Sequence, residues 1–414
     1  MRSWLLLCAA LAWPAHADDV APPAFDDWLA TFRVEAAAEG ISAATLDAAF
    51  VGAQPMQRVI ELDRGQPEFL QTFTGYLGVR VTPARVAQGR ERLAEHAALL
   101  DAVEAQYGVP KAVLVAFWGL ETNYGSFKGN LNVPVSLATL AWEGRRSAFF
   151  EAQLLDALRI IDAGHVAAVD MNGSWAGAMG HMQFMPSTFR AYAVDGDGDG
   201  RIDLWESLPD AMYSAAHYLK RAGWRAGEPV AVGVQLPAGF DYRLSSPTLR
   251  MSVAEWARLG VAPAAGELPA GDLLARLILP QGWQGPAYLA FDNFAVVMRW
   301  NRSVNYALAV AELARQLAGG EAAAVPAGAA DALSIDQVKA LQRYLNELGY
   351  VAGEPDGVPG PRTQGAIRRF QAAHKLPVDG YPAPDVHARV EAAHAEAARA
   401  GKLTLSPVFA DPEP

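Results

Sequence analysis

The sequence predicts a mainly α protein: a large helical domain with a small β element, followed by a small, separate helical domain. Three observations carry this. Apolar residues recur at three- and four-residue spacings through most of the chain up to Leu317. Strand-like alternation is confined to a few short runs. A stretch rich in Ala, Gly and Pro and poor in bulky residues then separates this region from a last helical one.

At 414 residues and 51% hydrophobic side chains, the chain has room for two or three domains and a real core. The net charge of −11 argues against nucleic acid and anionic membrane surfaces as partners, because phosphate binding needs clustered Lys and Arg. Eleven tryptophans suit an aromatic-lined cleft, and the charge balance permits a neutral polymer as substrate.

In chain order, residues 1–17 read as a cleavable export signal: Arg2, an apolar run from Trp4 to Trp13, then Ala15-His16-Ala17. The run is too short to span a bilayer, so the mature chain is expected to lack a transmembrane segment. Cys8, the single cysteine, lies in this signal and follows Leu7 rather than a small residue, which speaks against a lipoprotein. The mature chain then has no thiol for a disulfide, a Cys nucleophile or a thiolate metal site.

A domain over 18–317 follows. Its helical periods are Phe25–Ala38, Arg85–Tyr107, Lys111–Leu120, Phe149–Ile161, Leu208–Ala222, Val253–Leu259 and Tyr306–Leu317. Val230–Leu236, Leu277–Leu279 and Tyr288–Phe291 are the candidate strands. Residues 318–331 read as the linker, 332–395 as the second domain and 396–414 as a frayed tail. Within the second domain, Ser334 caps a helix to Leu348 and another spans Thr363–His374.

The segment from Lys111 to Leu120 is apolar on every face, which marks a buried helix. Glu121 is its only acid and stands near its C-terminal end, just before the Asn123–Gly125 stop. Burial and the negative end of the helix dipole both disfavour a carboxylate there and should raise its pKa. A carboxyl protonated near neutral pH suits a general acid for a glycosidic oxygen. The alternative is a Glu turned outward and solvated. The segment Gly173–Phe189 combines close-approach glycines with Ser174, Gln183 and Phe184, which suit sugar hydroxyls and pyranose faces. Its alternative is a tight helix–loop packing motif, and His181 within it reads as a structural histidine.

These residues carry a family resemblance. Leu120-Glu121-Thr122 with Tyr124-Gly125, Ser174-Trp-Ala-Gly-Ala-Met-Gly, Gln183-Phe-Met-Pro, Tyr192-Ala-Val-Asp, Asp203-Leu-Trp and Trp300-Asn-Arg-Ser-Val-Asn-Tyr306 occur in order over residues 24–317. Together they resemble the lytic murein transglycosylase B family. The resemblance implies a lysozyme-like helical catalytic domain with extra helical lobes. It implies that Glu121 protonates the oxygen between N-acetylmuramic acid and N-acetylglucosamine, then takes the proton of the muramyl 6-hydroxyl to close a 1,6-anhydro ring without water. One carboxylate then suffices where hydrolases usually pair two. The substrate's N-acetyl group, held by donors such as Ser174, would stabilise the developing charge. The same resemblance places Tyr76, Arg145, Arg146, Gln183, Phe184, Tyr218, Trp300, Asn301 and Tyr306 in the cleft. Arg145 and Arg146 would pair with lactyl or peptide carboxylates, or else form a solvated helix start. Trp300 and Phe149 stand where the family often carries a hydroxyl-bearing ring, so each is expected to stack without donating the same bond.

The loop Asp195-Gly-Asp-Gly-Asp-Gly-Arg-Ile-Asp-Leu-Trp-Glu206 fits the EF-hand spacing, with Asp195, Asp197 and Asp199 as ligands, the Arg201 carbonyl next and Glu206 last. The resemblance adds Asp210 as an alternative last ligand. A structural Ca²⁺ is expected, the alternative being an Asp/Gly turn without metal; no organic cofactor is expected. Val338–Gly349, Asp356-Gly-Val-Pro-Gly-Pro-Arg-Thr and Ala366-Ile-Arg-Arg-Phe-Gln371 resemble the three-helix peptidoglycan-binding domain, with Ala383-Pro-Asp-Val departing from the usual entry to its last helix. A packing module is the alternative. The whole reads as a periplasmic, monomeric enzyme acting on peptidoglycan glycan strands, with other cell-wall enzymes as possible partners. A hydrolytic muramidase and a catalytically silent wall-binding scaffold are the competing functions.

Overall fold

The computed structural model describes residues 23–65, 71–322 and 329–404. The export signal, the middle of the linker and the end of the tail lie outside the described residues.

The predicted periods become helices close to where they were read. The N-terminal lobe is built from α1 (Phe25–Ala38), α2 (Ala43–Phe50), α3 (Gln57–Arg64) and α4 (Phe73–Arg80). Next come α5 (Pro83–Glu95), α6 (Ala97–Tyr107) and α7 (Lys111–Thr122). The period read as one helix over Arg85–Tyr107 is therefore two. His96 leaves helical geometry with φ −107° and ψ 23°, ending α5 and starting α6. β1 (Leu131–Asn132) leads into α8 (Val133–Glu143), then α9 (Ser147–Asp162), β2 (Asn172–Gly173), α10 (Pro186–Tyr192) and α11 (Leu208–Arg221). β1 and β2 pair antiparallel, bringing Leu131 opposite Gly173. α8 was not expected, because Val-Pro-Val reads as extended chain. It forms because Asn132 accepts the Val135 N–H and Pro134 sits in the first turn, where no N–H is needed.

The β element is a five-stranded sheet in the order β4 (Met251–Ser252), β6 (Leu274–Ile278), β7 (Ala287–Ala290), β3 (Ala231–Gln235), β5 (Ala262–Pro263). Its pairs are antiparallel, and the three predicted strands are its centre. It closes over its own core around the fully buried Trp256 of α12 (Val253–Arg258). α13 (Asp292–Trp300) and α14 (Val304–Leu317) then return to the main helical core.

That core centres on α7, whose residues 113–120 are all buried. Each large apolar side chain withdrawn from water there contributes about 1.5–3 kcal/mol. The core also receives α14 alongside α7. The C-terminal domain is α15 (Ile335–Glu347), α16 (Pro361–Ala373) and α17 (Pro384–Arg399), packed on Leu341, Leu345, Ile367, Phe370 and Val390. Ala383 caps α17 and Pro384 fills its first turn, so the departing sequence still starts a helix. The frayed tail expected from 396 begins later, since α17 continues to Arg399.

This domain is docked rather than merely tethered. Arg368 donates to the Ser245 carbonyl at 2.9 Å, and Asp379 accepts the Trp283 N–H at 2.8 Å.

Candidate active site

α7 stops at Thr122 because Asn123 and Tyr124 adopt left-handed backbone, φ 48° and 59°. Glu121 therefore sits in the final turn, where unpaired carbonyls make the helix end negative. Its Oε1 accepts two hydrogen bonds, from the Trp300 indole N–H at 2.9 Å and the Tyr306 hydroxyl at 2.5 Å. Both donors come from one corner: Trp300 ends α13, and Tyr306 lies in the first turn of α14, where Ser303 accepts its N–H. Burial pushes the Glu121 carboxyl above its ordinary value, opposed by the Tyr306 and Trp300 hydrogen bonds and by the charge of Arg80. Burial and the adjacent carboxyl push the Tyr306 hydroxyl well up, so it remains a donor.

Aromatic rings wall this corner. Trp300 lies 4.6 Å from Phe117, 5.3 Å from Phe184 and 5.1 Å from Tyr218, measured between ring centroids. Beyond the expected stacking, the Trp300 indole N–H donates to Glu121. Phe184 and Tyr306 are buried, so they shape the site from behind; Tyr218, Trp300 and Tyr76 are half-buried. On α4, the Arg80 guanidinium lies over the Tyr76 ring at 5.5 Å. Arg80 and Phe117 were not singled out from the sequence. Phe117, one turn before Glu121, was a findable signal; Arg80 required knowing that α4 packs beside α14.

The glycine-rich segment forms a pinned loop below. Ser174 exchanges hydrogen bonds with Ala178, its Oγ accepting the Ala178 N–H at 3.0 Å, which leaves the Ser174 hydroxyl hydrogen free to donate. Gln183, at φ 50°, donates from its amide nitrogen to the carbonyls of Lys128 and Gly180, both at 3.1 Å. Hydrogen bonding to a sugar would therefore fall to its amide oxygen. Gly129 has no alternative: a Cβ there would lie 2.1 Å from the Gly173 carbonyl. His181 is structural, as read. Its Nδ1 accepts the Trp118 indole N–H at 3.0 Å, its carbonyl accepts the Thr122 hydroxyl at 2.9 Å, and burial lowers it to about 4.

The remaining cleft candidates have other partners. Arg145 and Arg146 both bind the buried Asp63, at 2.8 and 2.5 Å. These half-exposed guanidinium groups tie α3 to the start of α9. Asn301 is exposed and accepts the Ser303 N–H at 3.1 Å, shaping the α13–α14 turn. Phe149 is exposed and packs edge-on to Phe150.

In the acidic loop, Asp195, Asp197 and Asp210 each bring a carboxylate oxygen within 4.8 Å of the others. Asp199 and Glu206 are not in this cluster. Asp199 accepts the Arg201 N–H, and the exposed Glu206 pairs with Lys128 at 2.9 Å. Asp210 is fixed instead by the N–H groups of Gly196 at 2.7 Å and Asp203 at 2.6 Å, and burial raises its pKa. The group of carboxylates that could hold a metal includes Asp210 and not Glu206. Three hard oxygen donors at this separation fit a Ca²⁺ ion, which takes oxygens at about 2.3–2.6 Å, on opposite sides of it up to about 5 Å apart. The loop reaches the candidate site, because the Leu204 carbonyl accepts the His181 N–H and the Trp205 indole donates to the Asn172 carbonyl.

A lysozyme-like helical fold whose cleft encloses a single carboxyl among aromatic rings defines the lytic transglycosylase class. Residues 24–315 match the transglycosylase SLT domain family, and residues 334–389 match a peptidoglycan binding domain. The chain belongs to the transglycosylase SLT domain family. It is 34% identical over 248 residues to membrane-bound lytic murein transglycosylase B of Escherichia coli strain K12, covering 58% of this chain. The match spans about two thirds, 65%, of that curated relative's length. Among solved structures, SltB3 from Pseudomonas aeruginosa in complex with NAG-anhNAM-pentapeptide superposes with a TM-score of 0.85 at 47% identity, covering 89% of this chain and 99% of that one. Escherichia coli lytic transglycosylase Slt35 in complex with calcium gives 0.60 at 29% identity, over 73% and 94%.

Proposed function

We propose that this chain cleaves the β-1,4 bond between N-acetylmuramic acid and N-acetylglucosamine in peptidoglycan, leaving a 1,6-anhydromuramyl end, with Glu121 as acid and then base. The observation that carries this is the one-sided bonding of Glu121: both donors fall on Oε1. In the neutral carboxyl Oε1 is then the carbonyl oxygen, and the proton resides on Oε2. The Oε2 proton passes to the glycosidic oxygen as the C1–O bond breaks. The muramyl N-acetyl oxygen shares the charge at C1, positioned by donors such as the Ser174 hydroxyl. The carboxylate, steadied by Trp300 and Tyr306, next takes the 6-hydroxyl proton as O6 closes on C1. Glu121 ends as it began, and no water enters the balance. The hydrogen bonds of Tyr306 and Trp300 and the charge of Arg80 favour its carboxylate form against burial.

Digestion of purified sacculi tests the reading. The products should end in anhydro rings, and Glu121→Gln should bind sacculi while releasing at least about a hundredfold less muropeptide. Reducing ends would turn the reading to a hydrolytic muramidase; lysis retained by Glu121→Gln would remove the assigned role.

A calcium ion would be held by Asp195, Asp197 and Asp210 and would neutralise three mutually repelling carboxylates, bracing the Gly173–Phe184 loop. The C-terminal domain would hold the enzyme on the wall and raise the local substrate concentration. Export through residues 1–17 to the periplasm completes the reading; no described helix is long and apolar enough to cross a membrane.

A further inference from the structure

The first turn of a helix leaves N–H groups without partners inside the helix. In α4 the Gly75 N–H is satisfied locally by the Thr72 hydroxyl, but the Thr74 N–H is satisfied from 207 residues away, by the side-chain oxygen of Gln281 at 2.9 Å. Gln281 is 2% exposed, and its amide nitrogen donates in the other direction, to the Ala330 carbonyl at 2.6 Å. Ala330 packs against the core of the C-terminal domain. Two residues on, the Trp283 N–H is taken by Asp379 of that domain. Between them Gly282, at φ +73°, lets the domain approach so closely that a Cβ would lie 3.0 Å from the Asp379 carboxylate. The turn 281–283 is thus clasped by the C-terminal domain on one side and caps α4 on the other.

α4 matters to the chemistry. It packs against α14, which carries Tyr306, and it bears Tyr76 and Arg80. Phe73 anchors its start, fully buried and edge-on to Tyr288 of β7, which follows the same turn. The titratable and charged groups facing Glu121 are Tyr306 from α14 and Arg80 from α4, beside the Trp300 indole of α13.

We propose that Gln281 is a positioning residue that couples the docked C-terminal domain to the active site, holding α4, and with it Tyr76 and Arg80, in place beside Glu121 and Tyr306. The wall-binding domain would then set catalytic competence as well as location. This rests on the role given to Glu121, but it has its own readout.

The test uses the full-length chain. Gln281→Met keeps the volume and removes both hydrogen bonds, whereas Gln281→Glu restores an acceptor for Thr74. In Gln281→Met, amide exchange over residues 73–80 should accelerate about tenfold or more, because the cap is lost. kcat on a soluble glycan strand should fall about tenfold or more with KM within about twofold, as expected for misplaced groups. The alkaline limb of the pH profile should move upward as the Arg80 charge is less well placed. Gln281→Glu should recover part of the protection and of kcat. A folded Gln281→Met with native exchange in α4, or with lost activity and an unmoved pH limb, overturns the proposal. Should Gln281→Met fail to fold, Asp379→Ala decides: faster exchange must extend from the C-terminal domain into α4, and exchange confined to residues 329–404 overturns it. Failure of Glu121's role would show as retained lysis in Glu121→Gln and leave the exchange result standing.

Discussion

Glu121 was legible because a lone acid in an all-apolar helix has few structural explanations. Its donors were less so. Trp300 in place of a family hydroxyl-bearing ring gave no sign in the sequence that its indole N–H would reach Glu121 from the end of α13. Trp300→Phe should therefore lower kcat about tenfold and move the alkaline limb upward, since a donor that favours the carboxylate is gone. The pH profile of the purified variant checks both. The raised Glu121 pKa also sets a sign for stability. A carboxyl that holds its proton longer when folded contributes stability below its ordinary value of 4.5, and that contribution is lost as pH rises through the raised folded value. Glu121→Gln mimics the protonated form, so it should melt about 2 °C or more above the parent chain at pH 8 and show no gain at pH 4. Equal melting temperatures at both values would contradict the burial argument.

At the scale of the element, the acidic loop shows what spacing can and cannot fix. EF-hand spacing offers Glu206, and the family resemblance adds Asp210. The structure groups Asp210, 1% exposed at the start of α11, with Asp195 and Asp197, whereas Glu206 faces Lys128 in solvent, and we propose Asp210 as the ligand. Added Ca²⁺ should raise the melting temperature, Asp197→Ala and Asp210→Asn should abolish the shift, and Glu206→Gln should keep it. Scanning fluorimetry with and without the ion reads all three. Gly129 gives a second case. At φ +88° against the Gly173 carbonyl, Gly129→Ala should cost about 2 kcal/mol or more and lower the melting temperature by about 4 °C or more. Two of the helices missed in the sequence share a cause. α8 and α10 both begin with Pro in the first turn, which reads as a break until the capping geometry is known.

For the whole molecule, the two-domain division was plain from composition, but the docking was not. The linker's Ala, Gly and Pro describe a tether, while the contacts that cancel its freedom, Arg368 to Ser245 and Asp379 to Trp283, join residues with no sequence pattern between them. The pairing of Arg145 and Arg146 with Asp63 was hidden for the same reason: Asp63 lies 82 and 83 residues away. Arg368→Ala should loosen the assembly, raising the radius of gyration in small-angle scattering while sacculus binding is retained. An unchanged radius would mean that the Asp379 contact suffices alone.

One consequence concerns α7 as an ionic object. Its two sides carry buried groups of opposite preference. Glu121 favours its proton, so folding weakens above the ordinary value of 4.5. His181, against Trp118 of the same helix, refuses its proton down to about 4, so folding weakens as pH drops below the ordinary 6.5. The two dependences have opposite sign, one lost as pH rises and the other as pH falls. Removing either group should leave the other's dependence: Glu121→Gln leaves the acid slope, and a neutral replacement of His181 leaves the alkaline one.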